Sequence, residues 1–220
     1  MPAPNKPRAV LMGDLVGSEK AASAKAVHRV FNRAIARANK RHAAQILSPL
    51  TITLGDEFQG LISSFVGAWT LAAELRLGLL HEGVSCRFVV GAATIETPLN
   101  RARAWNMMGP GLADARAKLN DKGLANAYRF SFPSDPVIAE LMEAVGASLT
   151  HVEQGWTDTQ LRYFWRRAEG RAIARIAKDL GVSQRGVYKV LRAAHADFHD
   201  RQSEAIGRAL THLDTQHGLA

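Results

Sequence analysis

The sequence predicts an α+β protein, in which a β-α-β-β-α-β unit is followed by an all-α segment. Short apolar runs of strand length alternate with longer helical stretches up to Ile95. The dipeptide Gly55-Asp56 joins two of these runs and is typical of a tight hairpin turn. From Thr157 onward the apolar residues keep helical spacing, and a final helix is predicted at 205–213. We therefore predict a first domain over residues 1–150 and a second over residues 151–220.

The elements of the first domain can be placed in order. We predict strands at 9–13, 46–54, 58–62 and 86–95, and helices at 19–42 and 65–80. A helix at 112–119, an edge strand at 128–132 and a helix at 136–149 follow. Elements of these lengths and in this order favour a sheet with both early helices on one face, which is the ferredoxin-like arrangement.

Composition limits the class of partner. The chain has 220 residues, with 28 Lys+Arg against 20 Asp+Glu and a formal net charge of +8. This balance favours nucleic acid, nucleotide phosphates or another anionic surface. Cys86 is the only cysteine and lies in an apolar run, so we expect a buried thiol in a reducing cytoplasm. The longest uncharged stretch, 58–73, is too short to span a membrane, and no membrane partner is expected.

The predicted first helix carries a row of basic residues at steps of four. A row with this spacing lies on one flank of a helix. Two interpretations remain open, a solvated face or a surface that contacts phosphates. The row consists of Lys25, Arg29, Arg33, Arg37 and Arg41.

Two acidic positions are expected to meet at one end of the sheet. Asp14 ends the first strand, and Asp56 lies in the turn between the second and third strands, with Glu57 beside it. In the predicted topology the third strand lies antiparallel between the first two, so these ends coincide. Such carboxylates suit Mg²⁺ or Mn²⁺, which takes a few carboxylates and bridges substrate phosphates. The alternative is a solvated turn.

A phosphate-binding loop is predicted beside these acids. Leu15, Val16, Gly17 and Ser18 would supply backbone N–H groups and a hydroxyl near the start of a helix, where phosphates are favoured. Gly55 of the hairpin turn would approach the same nucleotide. The sequence therefore predicts a nucleotide bound through a divalent metal.

These residues resemble known motifs. Met12 to Ser18 together with Leu54 to Phe58 resemble the paired metal motifs of class III nucleotide cyclases and the hairpin of GGDEF diguanylate cyclases. Both families have a palm-type ferredoxin-like core. The resemblance implies that Asp14 and Asp56, and Glu57 by the GGDEF pattern, hold metal and a nucleoside triphosphate. Two metals at such a site can activate a hydroxyl for attack on a phosphate.

The sequence also departs from those families. Leu54 stands where the GGDEF pattern has its first glycine. Ala113 stands at the position of the ribose-binding asparagine of class III cyclases. Arg116, one residue before the position of their arginine, is a candidate nucleotide ligand. These departures bear on cyclisation more than on metal or nucleotide binding.

The second domain contains the spacing of a helix-turn-helix motif. Ala177, Gly181, Val187 and Val190 match its helix crossing, its turn and the apolar anchors of its second helix. Ser183 is placed to cap that second helix. The residues predicted to contact double-stranded DNA are Ser183, Gln184, Arg185, Tyr188, Lys189 and Arg192. A motif that contacts protein instead is the alternative.

Two histidines close to this motif have metal-ligand spacing. His195 and His199 lie four residues apart on what is predicted to continue as a helix, although no third ligand follows them. A metal site there is therefore the weaker alternative to ordinary helical histidines.

The whole chain resembles the SatD family of bacterial proteins. The resemblance rests on Gly13 to Ser18, Gly55 to Gly60, Gly109 to Arg116 and the C-terminal motif. This resemblance implies the architecture of the chain more than it implies an activity.

Three hypotheses follow from the sequence. The first is a DNA-binding transcriptional regulator whose palm-like domain binds a nucleotide through Mg²⁺. Such a regulator could act as a homodimer. The alternative is an active nucleotidyl cyclase or nucleotidyltransferase that the helix-turn-helix targets to DNA. In the third, the palm is an interaction module and its acids are solvated.

Overall fold

A computed structural model describes residues 6–17, 23–121 and 123–219. The strands are β1 (Arg8–Leu15), β2 (Ile46–Leu54), β3 (Glu57–Ile62), β4 (Cys86–Ala93) and β5 (Tyr128–Ser131). The helices are α1 (Ala24–Arg41), α2 (Phe65–His81), α3 (Leu112–Asn120), α4 (Pro136–Gln154), α5 (Asp158–Ala168), α6 (Ile173–Leu180), α7 (Gln184–Ala193) and α8 (Ala196–Gln216).

The five strands form one sheet in the order β2-β3-β1-β4-β5. β3 lies between β1 and β2 and is antiparallel to both, and β4 is antiparallel to β1. β5 pairs with β4 in parallel as an edge strand. The predicted β-α-β-β-α-β topology and the additional edge strand are therefore confirmed.

The two faces of the sheet are covered differently. Helices α1, α2, α4 and α8 cover one face, where their side chains pack with strand residues such as Leu11, Phe58 and Phe88. The other face is covered by α3 and the segment that precedes it, which pack on Val10 and Met12. Because side chains alternate along a strand, Asp14 projects from the same face as these two residues.

Helix α1 begins after Ser23, whose hydroxyl accepts a hydrogen bond from the N–H of Ala26 at 3.2 Å. The predicted start of this helix at Glu19 lies outside the described residues. Phe31, Ile35 and Ala38 form its buried stripe, as their spacing predicts. Cys86 is buried, also as predicted, and burial raises the pKa of its thiol.

The C-terminal helices pack as a cluster around Phe164, Ile176 and Val187. Helix α4 runs past the predicted boundary at residue 150 and ends at Gln154. Helix α8 is much longer than the predicted 205–213 and returns to the first part of the chain, where it packs against α2 and α4. The carboxylate of Asp214 accepts hydrogen bonds from the N–H groups of Phe65 (2.6 Å) and Val66 (3.0 Å), so α8 caps α2.

None of the helices in the described ranges is both long and apolar enough to cross a bilayer.

Candidate functional site

Asp14, Asp56 and Glu57 lie at one end of the sheet, which we call the carboxylate edge. Asp14 pairs in register with Glu57 on β3. The carbonyl of Asp56 accepts a hydrogen bond from the N–H of Leu15 at 3.1 Å, which holds the hairpin turn against the end of β1. Gly55 has a φ of +65° in that turn, a conformation that favours glycine.

Arg87 is the residue of this site that the sequence analysis missed. It lies opposite Asp14 on β4, and its Nε donates to Oδ2 of Asp14 at 2.9 Å. Its Nη2 donates to the same oxygen. An arginine in an otherwise apolar strand is the sequence signal that marks Arg87. The identity of its partner could not be read from that signal, because it depends on the pairing of β4 with β1.

Burial raises the pKa of Asp14 above its ordinary value. The hydrogen bond and the positive charge of Arg87 oppose this rise, and the negative charge of Asp56 adds to it. The carboxylate edge therefore favours additional positive charge close to Asp14.

The donor chemistry of the carboxylate edge fits a hard divalent cation, since its acidic side chains would offer carboxylate oxygens. Within the ranges that the structure describes, no three acidic, histidine or cysteine side chains are already arranged around a common metal position. Asp14 is instead turned towards Arg87. Asp14, Asp56 and Glu57 would hold Mg²⁺, and Oδ2 of Asp14 would be available to the ion only after Arg87 moves away from it.

The predicted phosphate loop is only partly available for a ligand. The N–H of Leu15 is used by Asp56, and the N–H of Val16 donates to the carbonyl of Ser85 at 2.9 Å. Gly17 follows with a φ of +71° and is exposed. Ser18 lies outside the described residues.

Arg116 lies on α3 and contacts the sheet. Its Nη2 donates to Oε1 of Gln59 on β3 at 2.7 Å. The helix sits close to β4 because Gly111 precedes it, where a Cβ would lie 2.2 Å from the carbonyl oxygen of Ala92. Ala113, at the position of the cyclase asparagine, is exposed.

The basic row of α1 is partly used in ion pairs. Arg33 pairs with Glu82 at 3.6 Å, and Arg41 pairs with Glu74 at 3.1 Å. Arg37 pairs with Glu169 at 3.5 Å. These contacts favour an ion-paired, solvated face over a surface that contacts phosphates.

Helices α6 and α7 are joined by a short turn over residues 181–183. Gly181 ends α6 with a φ of +65°, and the hydroxyl of Ser183 caps α7 by accepting from the N–H of Gly186 at 3.0 Å. Ala177 and Val187 are buried in the contact of the two helices. The five other residues predicted to contact DNA are all exposed on α7, namely Gln184, Arg185, Tyr188, Lys189 and Arg192.

The prediction of one continuous helix through His195 and His199 is wrong. His195 has a φ of +53°, which interrupts the helical conformation between α7 and α8. His199 is buried, and its Nε2 lies 3.2 Å from Oε1 of Glu153. This contact gives His199 a structural partner in place of a metal.

That contact belongs to a buried network that joins four elements. Arg76 of α2 donates through Nε to Oε2 of Glu153 of α4 at 2.9 Å. The hydroxyl of Tyr128 on β5 donates to Oε1 of the same carboxylate at 2.6 Å. Arg76 also donates to the carbonyl of Cys86 at 2.8 Å, one residue before Arg87. We call Arg76, Tyr128, Glu153 and His199 the buried network.

Several solved structures resemble this chain in part. A bacterial light-regulated adenylyl cyclase matches with a TM-score of 0.41 and 13% identity, over 57% of this chain and 43% of that chain. This chain therefore spans less than half of the length of that cyclase.

Two guanylyl cyclases also match. The guanylyl cyclase domain of the RhoGC fusion protein from the aquatic fungus Blastocladiella emersonii has a TM-score of 0.39 and 13% identity, over 53% of this chain and 75% of that one. The guanylyl cyclase Cya2 has a TM-score of 0.37 and 13% identity, over 52% and 69%.

No curated protein matches the chain. The sequence model of the SatD family matches residues 9–164, which is more than half of the chain. The chain therefore belongs to the SatD family.

Proposed function

We propose that the chain binds a nucleoside triphosphate together with Mg²⁺ or Mn²⁺ at the carboxylate edge. The observation that carries this proposal is the position of Asp14, which is nearly buried between Glu57 on one neighbouring strand and Arg87 on the other. Acids that would hold a metal and a cation that would contact phosphate thus share one end of the sheet.

The residues of the edge would exchange partners when the ligand binds. Asp14 and Asp56, with Glu57 beside them, would hold the cation, which would neutralise charge that burial disfavours. Arg87 would leave Asp14 and donate two of its N–H groups to phosphate oxygens, a geometry that guanidinium groups favour. The metal would supply charge neutralisation for the phosphates.

Calorimetric titration of the full chain with GTP and ATP, with and without Mg²⁺, tests this proposal. We expect Mg²⁺-dependent binding that Asp14→Asn and Asp56→Asn each weaken by about tenfold or more, which is at least about 1.4 kcal/mol. Asp197→Asn makes the same change at an exposed position of α8 and is the matched control. Equal affinity in wild type and both edge variants would leave the third hypothesis, an interaction module with solvated acids.

Turnover is the alternative that the same site permits. Two metals at the carboxylate edge could activate a hydroxyl for attack on the α-phosphate and release pyrophosphate. The methyl group of Ala113 offers no hydrogen bond to a ribose, and Arg116 is held by Gln59. These two observations favour binding without cyclisation. Pyrophosphate release with each nucleoside triphosphate and Mg²⁺ or Mn²⁺ would support the enzyme instead.

The exposed face of α7 supports a second function, binding to double-stranded DNA. Arg185, Lys189 and Arg192 are exposed along it, and no acid lies between Ser183 and His195. Basic side chains on such a helix suit base edges and phosphates. Together with the nucleotide site, this would make the chain a nucleotide-responsive transcriptional regulator, and paired half-sites would require a homodimer.

Fluorescence anisotropy with duplex DNA tests the second function. We expect Arg185→Ala and Lys189→Ala each to weaken binding by several-fold or more, and we expect wild-type affinity to fall steeply as salt rises. Arg208→Ala removes an exposed arginine from α8 and is the control. If both α7 variants bind like the wild type, α7 does not contact the DNA.

A further inference from the structure

A cleft lies on the same face of the sheet as the carboxylate edge. Its volume is about 390 Å³, within the range of small-molecule sites. Val10, Met12 and Leu61 form an apolar floor on β1 and β3. Helix α3 provides one wall with Arg116, and the segment 104–107 provides the other with Trp105.

The cleft is preformed, because hydrogen bonds hold the segment 104–107 to the neighbouring strands. The amide of Gln59 donates through Nε2 to the carbonyl of Ala104 at 2.6 Å. The N–H of Ala104 donates to the hydroxyl of Thr51 on β2 at 2.9 Å. Trp105 follows and is half exposed beside the opening.

The cleft and the carboxylate edge form one continuous strip. Met12 and Asp14 project from the same face of β1 two residues apart, and Gln59 and Glu57 do so on β3. Two residues of an extended strand span about 7 Å. That spacing is of the size of a ribose, which in a nucleotide separates the base from the first phosphate.

We infer that this cleft holds the base of the nucleotide whose phosphates lie at the carboxylate edge, and that the base is guanine. The inference rests on the proposed nucleotide-binding function. The base would bind within this one chain. The ring of the base would lie against Met12 and Trp105, and the polar edge of the base would face Arg116.

The polar groups of the cleft distinguish guanine from adenine. Both ends of the Gln59 amide are already bonded, Oε1 by Arg116 and Nε2 to Ala104. The guanidinium of Arg116 carries five N–H groups and uses one of them in its bond to Gln59. Arginine pairs with the O6 and N7 acceptors of guanine, whereas adenine presents a donor at N6.

Calorimetry of the full chain with Mg²⁺ and three ligands, GTP, ATP and tripolyphosphate, tests the inference. Tripolyphosphate has no base and reports on the carboxylate edge alone. We expect GTP to bind more tightly than ATP and tripolyphosphate, by about tenfold or more. Arg116→Met should remove the preference for GTP over ATP and leave tripolyphosphate binding unchanged.

Two further variants make the result decisive. Trp105→Ala, at a half-exposed position, should weaken GTP and ATP together and spare tripolyphosphate. Arg29→Met makes the same charge change as Arg116→Met on the far face of the sheet, and it should change none of the three affinities.

The possible failures can be told apart. The inference is overturned if GTP and ATP bind equally to the wild type, or if Arg116→Met and Trp105→Ala retain wild-type GTP affinity while tripolyphosphate still binds. In both cases the proposed function stands. If the wild type binds neither GTP nor tripolyphosphate, the proposed function fails and the inference fails with it.

Discussion

Replacing Glu153 by glutamine tests the buried network that joins α4 and α8 to α2 and the sheet. The side chain of Glu153 is 0% exposed, and that of its partner Arg76 is 3% exposed. The change removes the negative charge between Arg76 and His199 and leaves the guanidinium buried without its counter-ion. Breaking a buried ion pair by altering one partner costs about 3–5 kcal/mol.

This cost should be large enough to measure by thermal and urea unfolding. For a chain of this size, a loss of 1 kcal/mol lowers Tm by about 2–4 °C, so we expect Glu153→Gln to lower Tm by about 6–20 °C. Glu204→Gln is the control, because it breaks an ion pair with Arg208 at the surface, where the side chains of Glu204 and Arg208 are 68% and 73% exposed. It should change Tm very little.

A double variant separates the charge from the packing. Arg76→Met with Glu153→Gln removes both charges, so it should recover part of the stability that Glu153→Gln loses. If the free energy of unfolding of Glu153→Gln lies within about 1 kcal/mol of the wild-type value, a difference typical of any single substitution, the network does not hold α4 and α8 to the sheet.

Two further predictions concern the stability of the protein in acid and the close packing of the start of α3 against β4. Burial alone would raise the pKa of Glu153, but the hydrogen bond with His199 and the charge of Arg76 overcome it and lower the pKa below 4.5. Its stabilisation is thus complete above pH 4.5 and is lost as pH falls through the lowered pKa, so acid titration of unfolding should be steeper in wild type than in Glu153→Gln. Gly111→Ala should destabilise the fold by about 2 kcal/mol or more, measured by urea unfolding, because its Cβ would overlap Ala92 and its φ of +91° strains a side chain. Gly207→Ala, whose Cβ would meet Trp69 at an ordinary 4.0 Å, is the control.

Much of the fold could be predicted from local sequence. The alternation of apolar runs and helical stripes identified the strands and helices, and Gly55-Asp56 identified the hairpin that orders β1, β2 and β3. These signals lie within a few residues of each other. They also predict that Asp14 and Asp56 meet at one end of the sheet.

The missed features depend on contacts between distant residues. Arg87 meets Asp14 only through the β1–β4 pairing, 73 residues along the chain. The buried network needs β5, α2, α4 and α8 to be placed together. The length of α8 was underestimated because its return over α2 and α4, and not helix propensity alone, stabilises it.

The central claim is that the carboxylate edge holds a divalent cation and a nucleotide. Calorimetric titration of GTP into wild type and Asp14→Asn, each with and without Mg²⁺, tests it most directly. We predict binding to the wild type that requires Mg²⁺ and is weakened about tenfold or more in the variant. Equal heats in the wild type and the variant, or no binding to the wild type, would contradict it.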